Sequence, residues 1–492
     1  MTIAREETPV LIAGAGPAGM TVAIELARRG VESLLVERRS GPSSLPKATT
    51  VSLRTMEIVR GWGLEEAVRA GGPEVEWEMW ISETLAAAAD GFAVPAGIPT
   101  NAASALVSPT TPACVPQDHL ESVLLGHLRT MPVARTRHAT ELIDLEERDG
   151  GYAAMLRGQD GRLTMVDARY VIAADGAHSM IRERLGIPRR ETGELEHAQS
   201  VLFRAPLWDL LGDVRYGLYA PDQPTGGIFL PGGLPDRWIY GLLLSGEQAT
   251  DPARIDLPEL LRRIEIASGV PGLQVEVERT GSFSFIAGIA ERFRRGNAFL
   301  VGDAAHRVTP RGGTGMNMAI HGAFALGWRL AWVLRGWAGP EILDAYEAER
   351  RPLVEHNIAR STDPEGSRAE PSVEMQVDLG GRIPHAWTST GSGRSSVLDL
   401  PGEALTLLAE EGHADSWAFA ADFVVAGPPV VLRRIDPMAA RVLGIAGGAA
   451  MLVRPDAVQA AWLPAGGGEQ ALDAALATSL GAGRREMEGA TA

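Results

Sequence analysis

The chain has 492 residues, 45% of them hydrophobic and 22% charged, with a formal net charge of −16. This length predicts about three domains of an ordinary globular protein. The acidic balance argues against nucleic acid and anionic membrane surfaces as partners. The only cysteine, Cys114, excludes an intrachain disulfide, a thiolate zinc site and an iron–sulfur cluster, and it fits a reducing cytoplasm. The acidic N-terminus lacks a secretion signal, and the most apolar helical segment, 324–334, is too short to span a bilayer.

The first nucleotide-binding motif is VLIAGAGPAG, at residues 10–19. An apolar run suited to a buried parallel strand precedes a G-x-G-x-x-G pattern, and a helix then continues to about Arg29. A second strand, 33–36, ends at Glu37, whose carboxylate can accept both ribose hydroxyls of an adenosine. The pattern predicts a dinucleotide site, and Glu37 favours a ribose without a 2′-phosphate. The turn itself contains Gly14, Gly16, Pro17, Ala18 and Gly19.

Two further motifs follow the same plan of strand, turn and helix. In VIAADGAHSMIR (171–182), an Asp-Gly turn at Asp175 follows a strand; taken alone, this is a common turn. In FLVGDAAHRVTPRGGTGMN (299–317), a strand ends at Gly302-Asp303 and a glycine loop precedes a long helix that begins near Met316. Bare backbone N–H groups at such a helix start form an anion site, which suits the negative charge of a reduced flavin. The glycines of this loop are Gly312, Gly313 and Gly315.

Together the three motifs resemble the flavin-binding signature of class A FAD-dependent aromatic monooxygenases of the para-hydroxybenzoate hydroxylase type. The similarity continues through YEAERRP (346–352) into the C-terminal region and points to the actinomycete hydroxylases of aromatic polyketides. It implies an α/β fold: a Rossmann-like FAD-binding domain, an antiparallel-sheet substrate domain and a C-terminal thioredoxin-like domain without cysteines. The implied domains are 1–75, 105–195 and 288–365 for FAD, 76–104 and 196–287 for the substrate, and 380–492 for the C-terminal domain.

The resemblance also implies roles for individual residues. The three glycines of the first motif would line the pyrophosphate, Glu37 would bind the ribose, and Arg38 would lie beside the adenine. Asp175 belongs to a turn implicated in both FAD and NADPH binding. The remaining implied cofactor contacts are Lys47, Gln117, Gly302, Asp303, Pro310, Gly313, Gly315, and the backbone N–H groups of Met316 and Asn317.

Four positions depart from the usual family pattern. Lys47 stands where an arginine is common, which keeps the charge but loses the planar fork. Thr314 replaces a more usual Gln, His321 replaces a common Asp, and His178-Ser179 follows the Asp-Gly turn where Arg-Ser is frequent. These changes concern the detail of flavin movement and NADPH handling rather than flavin binding itself.

Residues 196–287 contain short strand-like runs separated by Pro-Gly turns, which predicts a mostly antiparallel sheet that covers the flavin. Phe229, Tyr240 and, from the flavin loop, Pro310 are candidates for the substrate pocket. For Phe229 and Tyr240, ordinary sheet packing is an equally good interpretation. His306 could relay protons, but packing under the flavin loop is favoured. No residue is assigned as catalytic, and the ten histidines form no metal-binding motif.

The activity implied by the resemblance is hydroxylation of a polycyclic, polyketide-type phenol through a C4a-hydroperoxyflavin, with noncovalent FAD, NADPH or NADH, and O2. The cofactor carries this chemistry, so the protein needs no nucleophile of its own. Alternatives remain open: Baeyer–Villiger oxygenation, inactivation of an aromatic antibiotic, an oxygen-independent flavin reductase, or a non-catalytic FAD-binding protein. The oligomeric state, including a homodimer, also stays open.

Overall fold

The structure, a computed structural model, describes residues 3–41, 48–244, 256–391, 393–421 and 427–480. Its strands are β1 (Ala4–Ala13), β2 (Ser33–Val36), β3 (Thr50–Val51), β4 (Glu76–Ser82), β5 (Phe92–Pro95), β6 (Ala113–Cys114), β7 (Ala134–Arg137), β8 (Thr140–Arg148), β9 (Gly151–Gly158), β10 (Leu163–Ala173), β11 (Arg189–Glu191), β12 (Glu196–Arg204), β13 (Tyr216–Pro221), β14 (Ile228–Gly233), β15 (Arg237–Leu244), β16 (Glu276–Phe285), β17 (Gly288–Ala290), β18 (Arg294–Arg295), β19 (Ala298–Leu300), β20 (His306–Arg307), β21 (Trp387–Thr390), β22 (Gly393–Ser396), β23 (Leu405–Glu410), β24 (Val430–Ile435), β25 (Ala450–Val453) and β26 (Gln459–Leu463).

Its α-helices are α1 (Pro17–Arg28), α2 (Leu53–Gly61), α3 (Glu65–Arg69), α4 (Asn101–Val107), α5 (Gln117–Arg129), α6 (Met180–Arg184), α7 (Leu207–Leu211), α8 (Leu257–Ser268), α9 (Gly315–Leu334), α10 (Asp344–Thr362), α11 (Pro371–Leu379), α12 (Pro437–Val442) and α13 (Gly468–Leu480).

The largest sheet brings the three sequence motifs side by side. Its strand order is β18-β19-β10-β1-β2-β7, and β9 and β8 extend it by pairing beyond β10. The strands β19, β10, β1, β2 and β7 run parallel, and β2 is buried along its whole length, as parallel strands covered on both faces are. The motif strands β1, β10 and β19 are neighbours, so the turns that follow them meet at the carboxyl edge of one sheet, where doubly wound folds bind their ligands.

Helices α1 and α9 cover one face of this sheet and lie unusually close together. A Cβ atom added at Gly327 of α9 would lie 2.6 Å from Cβ of Glu25 on α1. The same closeness recurs at Gly302, where an added Cβ would lie 3.1 Å from Cβ of Ala18 and 3.2 Å from Cβ of Ala319. Small residues therefore let α1 and α9 approach one another at these two points, and Gly302 does so near the starts of both helices.

The second sheet has the order β16-β12-β15-β14-β13-β4-β5 and is antiparallel except for the pair β13–β4. One of its faces packs against α7, α8 and a 3-10 helix at Leu85–Asp90. The strands of 196–285 confirm the mostly antiparallel sheet predicted for that segment, whereas β4, β5 and α8 were not predicted. Strands from 76–95 and 196–285 share this sheet; the division into domains remains a prediction.

The C-terminal region forms a four-stranded mixed sheet, β24-β23-β25-β26, in which β23 and β24 are parallel. Buried polar contacts tie it to α2. The Arg382 guanidinium binds the Glu57 carboxylate at 2.7 Å, and Nη2 of Arg54 donates to the carbonyl of Asp456 at 2.6 Å. The C-terminal region is thus fixed to a helix that begins beside the glycine loop of the third motif.

Candidate cofactor and substrate site

The first turn is shaped by glycines with three different surroundings. Gly14 adopts φ +108°, and a Cβ there would collide with the carbonyl oxygen of Ala174, while one at Gly19 would collide with that of Gly14. A Cβ at Gly16 would meet no atom within 4 Å. Gly16 caps α1 without a side-chain hydrogen bond, and Pro17 occupies the first turn. The start of α1 therefore offers free N–H groups next to open space, which suits a pyrophosphate.

Glu37 is held rigidly at the end of β2. Its Oε2 accepts a hydrogen bond of 2.9 Å from the N–H of Ala15, and Oε1 accepts from the N–H and Nε of Arg39, both at 2.9 Å. Burial acts to raise the pKa of Glu37, but the hydrogen bonds from Arg39 and Ala15 outweigh it and lower the pKa. The carboxylate thus stays ionised beside the glycine turn, while Arg38 is exposed.

In the second turn, the side chain of Asp175 is directed at α6, the helix that follows it. Oδ2 of Asp175 accepts from the N–H of Ile181 at 3.1 Å, whereas Oδ1 is buried without a partner. Burial raises the pKa of Asp175. Ser179 caps α6 by accepting from the N–H of Arg182 at 3.0 Å. The role of Asp175 toward FAD and NADPH remains a prediction, and its free oxygen is available to a bound group.

The third motif places Asp303 at the surface, one residue beyond the Gly302 contact with Ala18. Its carbonyl accepts from Nη1 of Arg189 at 3.4 Å, and the same nitrogen donates to the carbonyl of Ala177 at 2.7 Å. Arg189, which the sequence did not single out, therefore joins the second and third turns.

The glycine loop before α9 leaves a helix start without a side-chain cap. Gly312 and Gly313 have φ +79° and +64°, and Thr314 precedes α9 without capping it. The first N–H groups of α9, which include those of Met316 and Asn317, have no intrahelical acceptor. This is the geometry expected of an anion-binding helix end.

The Asn317 side chain joins this loop to β3 and α2. Oδ1 accepts from the N–H of Ser52 and from Oγ1 of Thr55, both at 2.9 Å, and Nδ2 donates to the carbonyls of Thr50 and Gly313, both at 3.0 Å. The sequence predicted only a backbone role for Asn317. Its amide holds both sides of the slot in which a flat ring would lie.

His321 supports that contact from one turn further along α9. Thr55 gives its single hydroxyl proton to Asn317, so at 3.0 Å it must accept from Nε2 of His321. Burial, with the nearby charges of Arg350 and Arg54, holds the pKa of His321 well below its usual value. His321 is therefore a neutral imidazole with its proton on Nε2.

The other predicted cofactor residues lie around this slot or outside the described residues. Gln117 begins α5, where its N–H donates to the carbonyl of Ala48 at 2.9 Å and its Nε2 donates to Oε1 of Glu121 at 2.7 Å. Pro310 is exposed in the glycine loop. Lys47 lies outside the residues that the structure describes.

Arg311, next to Pro310, connects the glycine loop with the second sheet. Its guanidinium forms an ion pair with Glu196 of β12 and lies 5.3 Å from the ring centre of Phe285 of β16. Arg311 was not predicted as a site residue, although a cation between Pro310 and Gly312 is a signal visible in the sequence. The loop therefore faces this sheet across a short gap.

The two faces of the second sheet differ sharply. Phe229 and Tyr240 are fully buried in the cluster against α7 and α8, and Tyr240 donates its hydroxyl to the carbonyl of Gly226 at 2.8 Å. This placement favours sheet packing over a pocket wall. Ile239 pairs with Leu202, which alternation puts on the same face of β12 as Glu196, the partner of Arg311. The half-buried apolar residues of this loop-facing side include Leu218, Ile228, Leu230 and Ile239.

The structure also shows the surroundings of His306 and Cys114, two other residues that could take part in chemistry. His306 is buried, and burial followed by the charge of Arg350 lowers its pKa to about 3, so it stays neutral and packs near Phe293. Cys114 is buried, which raises its pKa to about 12. Within the described ranges, the acidic, histidine and cysteine side chains form no group of three suited to a metal ion. Those ranges also contain no helix with the length and apolar character needed to span a membrane.

These features fit FAD. The uncapped starts of α1 and α9 would suit two anionic groups, Glu37 would suit a ribose, and Asn317 joins the two sides of the slot beside the start of α9. A Cβ at Gly16 would project into open space beside the start of α1, where a pyrophosphate would lie. Charge and shape thus match a long dinucleotide that ends in a flat ring.

Comparison with known proteins agrees with this geometry. A family model described as FAD binding domain matches residues 7–361, and one described as aromatic-ring hydroxylase, C-terminal, matches residues 377–483. Tetracenomycin A2 monooxygenase-dioxygenase of Streptomyces glaucescens is 33% identical over 98% of this chain and 100% of that protein. Aklavinone 12-hydroxylase of Streptomyces purpurascens is 33% identical over 92% of this chain and 95% of that protein.

A solved structure shares the whole architecture. The crystal structure of a ternary complex of aklavinone-11 hydroxylase with FAD and aklavinone matches with a TM-score of 0.85 and 30% identity, covering 98% of this chain and 100% of that one. A flavin-dependent monooxygenase in complex with FAD and substrate matches with a TM-score of 0.84 and 25% identity, over 96% and 99% of the two chains.

Proposed function

Because this chain belongs to the FAD-dependent aromatic-ring hydroxylases, we propose that it hydroxylates a polycyclic, polyketide-type phenol with NAD(P)H and O2. It is an FAD-dependent monooxygenase, and the proposal concerns its substrate, its reductant and the course of the reaction. The observation that carries the proposal is the gap between the glycine loop and the apolar face of the second sheet, spanned by the Arg311–Glu196 ion pair.

The residues of the site would divide the work of binding and orientation. The start of α1 would hold the pyrophosphate, Glu37 the ribose and Asp303 the ribityl chain. The start of α9 would hold the polar edge of the flavin ring, with Asn317 fixing the slot. FAD would supply the redox chemistry, taking electrons from NAD(P)H and activating O2 at its C4a atom.

The substrate would lie on the loop-facing side of the second sheet. Half-buried Leu218, Ile228, Leu230 and Ile239 provide an apolar floor there, and large ligands bind in pockets that are mostly apolar with few polar anchors. The charge of Arg311 is already matched by Glu196, so Arg311 is not a free cation for a carboxylate of a small benzoate. Packing on this floor would orient the phenol ring and exclude water from the reaction.

The relatives support the same substrate class. Two carry names that refer to aklavinone or tetracenomycin, and the solved structure contains aklavinone. Baeyer–Villiger insertion, or oxygenation that inactivates an aromatic antibiotic, would use the same arrangement. A cytoplasmic location, a homodimer, the domain boundaries given above and transient NAD(P)H docking beside Asp175 belong to this proposal as well.

The test is a product assay under 18O2. FAD-loaded protein is incubated with NADPH or NADH and either an anthracyclinone-like phenol or para-hydroxybenzoate, and products are analysed by mass spectrometry with fragmentation. We expect one 18O atom on an aromatic carbon of the polycyclic compound, and faster flavin reduction when that compound is bound. Turnover of the benzoate alone would contradict the substrate class. Oxygen inserted beside a ketone would identify a Baeyer–Villiger enzyme, and reduction without oxygen incorporation would identify a reductase.

A further inference from the structure

A small polar cavity lies behind the glycine loop, on the side of α10 and α11. Its volume is about 50 Å3, which is room for a few waters or one small ion. The loop residues Gly312 to Thr314 form one wall, and α9, α10, α11, residues 50–53 and residues 97–99 form the others. Polar side chains that line it include those of Thr314, Asn317, His321, Arg350, Arg360 and Asp378.

Two donors in the wall of this cavity have no partner. The Nε atom of Arg350 and the Oγ1 atom of Thr314 are both buried without a hydrogen bond. Arg350 also forms no ion pair within 4.0 Å with any carboxylate among the described residues. Buried polar atoms in native proteins are almost always satisfied. Nε of Arg329 also lacks a hydrogen bond, so the cavity that Arg350 and Thr314 share, rather than an unpartnered atom alone, points to a bound group.

The other buried arginines nearby do have carboxylate partners. Arg360 pairs with Glu374 at 2.9 Å, and Arg329 pairs with Glu349 at 2.6 Å. Arg54 pairs with Glu57 at 2.8 Å. Arg350 is thus distinguished from its neighbours by its isolation.

When the charged side chains around the cavity are grouped by their ion pairs, one positive charge remains, that of Arg350. Each surrounding cluster is neutral when its carboxylates are ionised, and His321 is uncharged. Among the described residues, Arg350 therefore has no ion-pair partner within 4.0 Å, although the Glu349 carboxylate acts on its charge from further away. Asp378 also lines the cavity, but it belongs to one of the neutral clusters and accepts from the N–H of Arg54 at 2.9 Å. The neutral clusters are Arg54, Arg382, Glu57 and Asp378; Arg360 and Glu374; and Arg329, Arg454, Glu349 and Asp456.

We propose that this cavity is a binding site for one small monovalent anion, such as a halide, held by the guanidinium of Arg350 and the hydroxyl of Thr314. A buried charge without a counter-ion is costly, and a single negative charge would balance Arg350. The cavity is too small, and its excess charge too low, for phosphate or sulfate dianions. Because Thr314 precedes α9, the anion would support the glycine loop at the start of that helix.

The direct test uses crystals of the FAD-loaded protein grown with sodium bromide. We expect an anomalous peak for bromide between the Arg350 guanidinium and Oγ1 of Thr314, and its absence in crystals of Arg350→Gln. A cavity that holds water alone in the bromide crystals would overturn the proposal.

A solution test separates a specific site from binding at crystal concentration only. The melting temperature of the FAD-loaded protein is measured from 1 to 100 mM sodium bromide, with sodium gluconate keeping the ionic strength constant. An anion that binds only the folded state raises the melting temperature, here by about 2 °C. Arg350→Gln should abolish this dependence, and Thr314→Val should weaken it.

Arg351→Gln is the matched control, since Arg351 lies next in α10 but pairs with Glu347 outside the cavity. It should keep the bromide dependence of the wild type. A wild type that melts identically in both salts, or a Thr314→Val variant with unchanged dependence, would refute the site even if Arg350→Gln failed to fold. Neither test depends on which substrate is hydroxylated.

Discussion

Oδ1 of Asn317 accepts a hydrogen bond of 2.9 Å from the hydroxyl of Thr55, although the two residues lie 262 positions apart in the chain. Through this contact, α2 fixes the start of α9. Since α2 is also bound to the C-terminal region by Arg54 and Glu57, the slot proposed for the flavin is supported by parts of the chain that never approach it in sequence.

The first prediction concerns Thr55. In Thr55→Val, the Nε2–H of His321 loses its acceptor and Asn317 loses a donor, so the free energy of unfolding should fall by about 1–3 kcal/mol. The looser slot should also weaken FAD binding. Thr55→Ser keeps the hydroxyl and serves as the control. Urea unfolding and the fluorescence of released flavin measure both effects; equal behaviour of the Val and Ser variants would contradict this role.

The second prediction concerns Asp303. Asp303→Ala should remove a charge-assisted hydrogen bond to the ribityl chain, worth about 1.5–3 kcal/mol, which corresponds to roughly ten- to a hundredfold weaker FAD binding. The protein should remain folded, since Asp303 is exposed. Asp213→Ala, another exposed acid, is the control. Unchanged FAD affinity on titration of the apoprotein would show that this contact is absent.

The third prediction separates the two faces of the second sheet. Phe229→Ala should lower the free energy of unfolding by about 3–5 kcal/mol, because the ring is fully buried. Ile239→Ala, on the half-buried loop-facing side, should cost less stability and raise the KM for a polycyclic phenol. Denaturation curves and steady-state kinetics test the pair. A larger KM effect from Phe229 than from Ile239 would reverse the assignment of the faces.

The fourth prediction is a pH dependence from His306. Burial lowers its folded-state pKa to about 3, whereas an unfolded histidine titrates near 6.5. Between these values the unfolded state binds the extra proton, so stability falls as the pH falls, by up to about 1.4 kcal/mol per pH unit from this group. His306→Gln should make the stability profile shallower between pH 6.5 and pH 4. An unchanged slope would mean that His306 titrates normally in the folded protein.

Local signals predicted local structure well. The strand 33–36 appears as predicted, because an apolar run between two turns specifies a buried strand. Ser179 caps its helix because capping depends on residues three positions apart. The order of the three motifs also predicted the fold class, since each strand and turn repeats one pattern.

Contacts between segments that are distant in the chain could not be predicted from the sequence. Alternation separates Phe229 from Ile228 into two faces, but only the packed structure shows which face α8 covers. Segments distant in the chain are joined by the pairing of Arg311 with Glu196 and by the hydrogen bonds of Asn317. No local spacing of residues in the sequence predicts these contacts. The isolation of Arg350 is equally invisible, since it depends on where every other carboxylate lies.

The glycine at position 302 sets a fixed length inside the molecule. It separates Ala18 at the start of α1 from Ala319 near the start of α9 by little more than the thickness of a backbone. The distance between the two positively polarised helix ends is therefore fixed, and a cofactor must span that distance to contact both ends. A flavin that lacks the adenylate half can contact only one of the two helix ends. This protein should therefore distinguish FAD from shorter flavins by their length, independently of contacts to the ring.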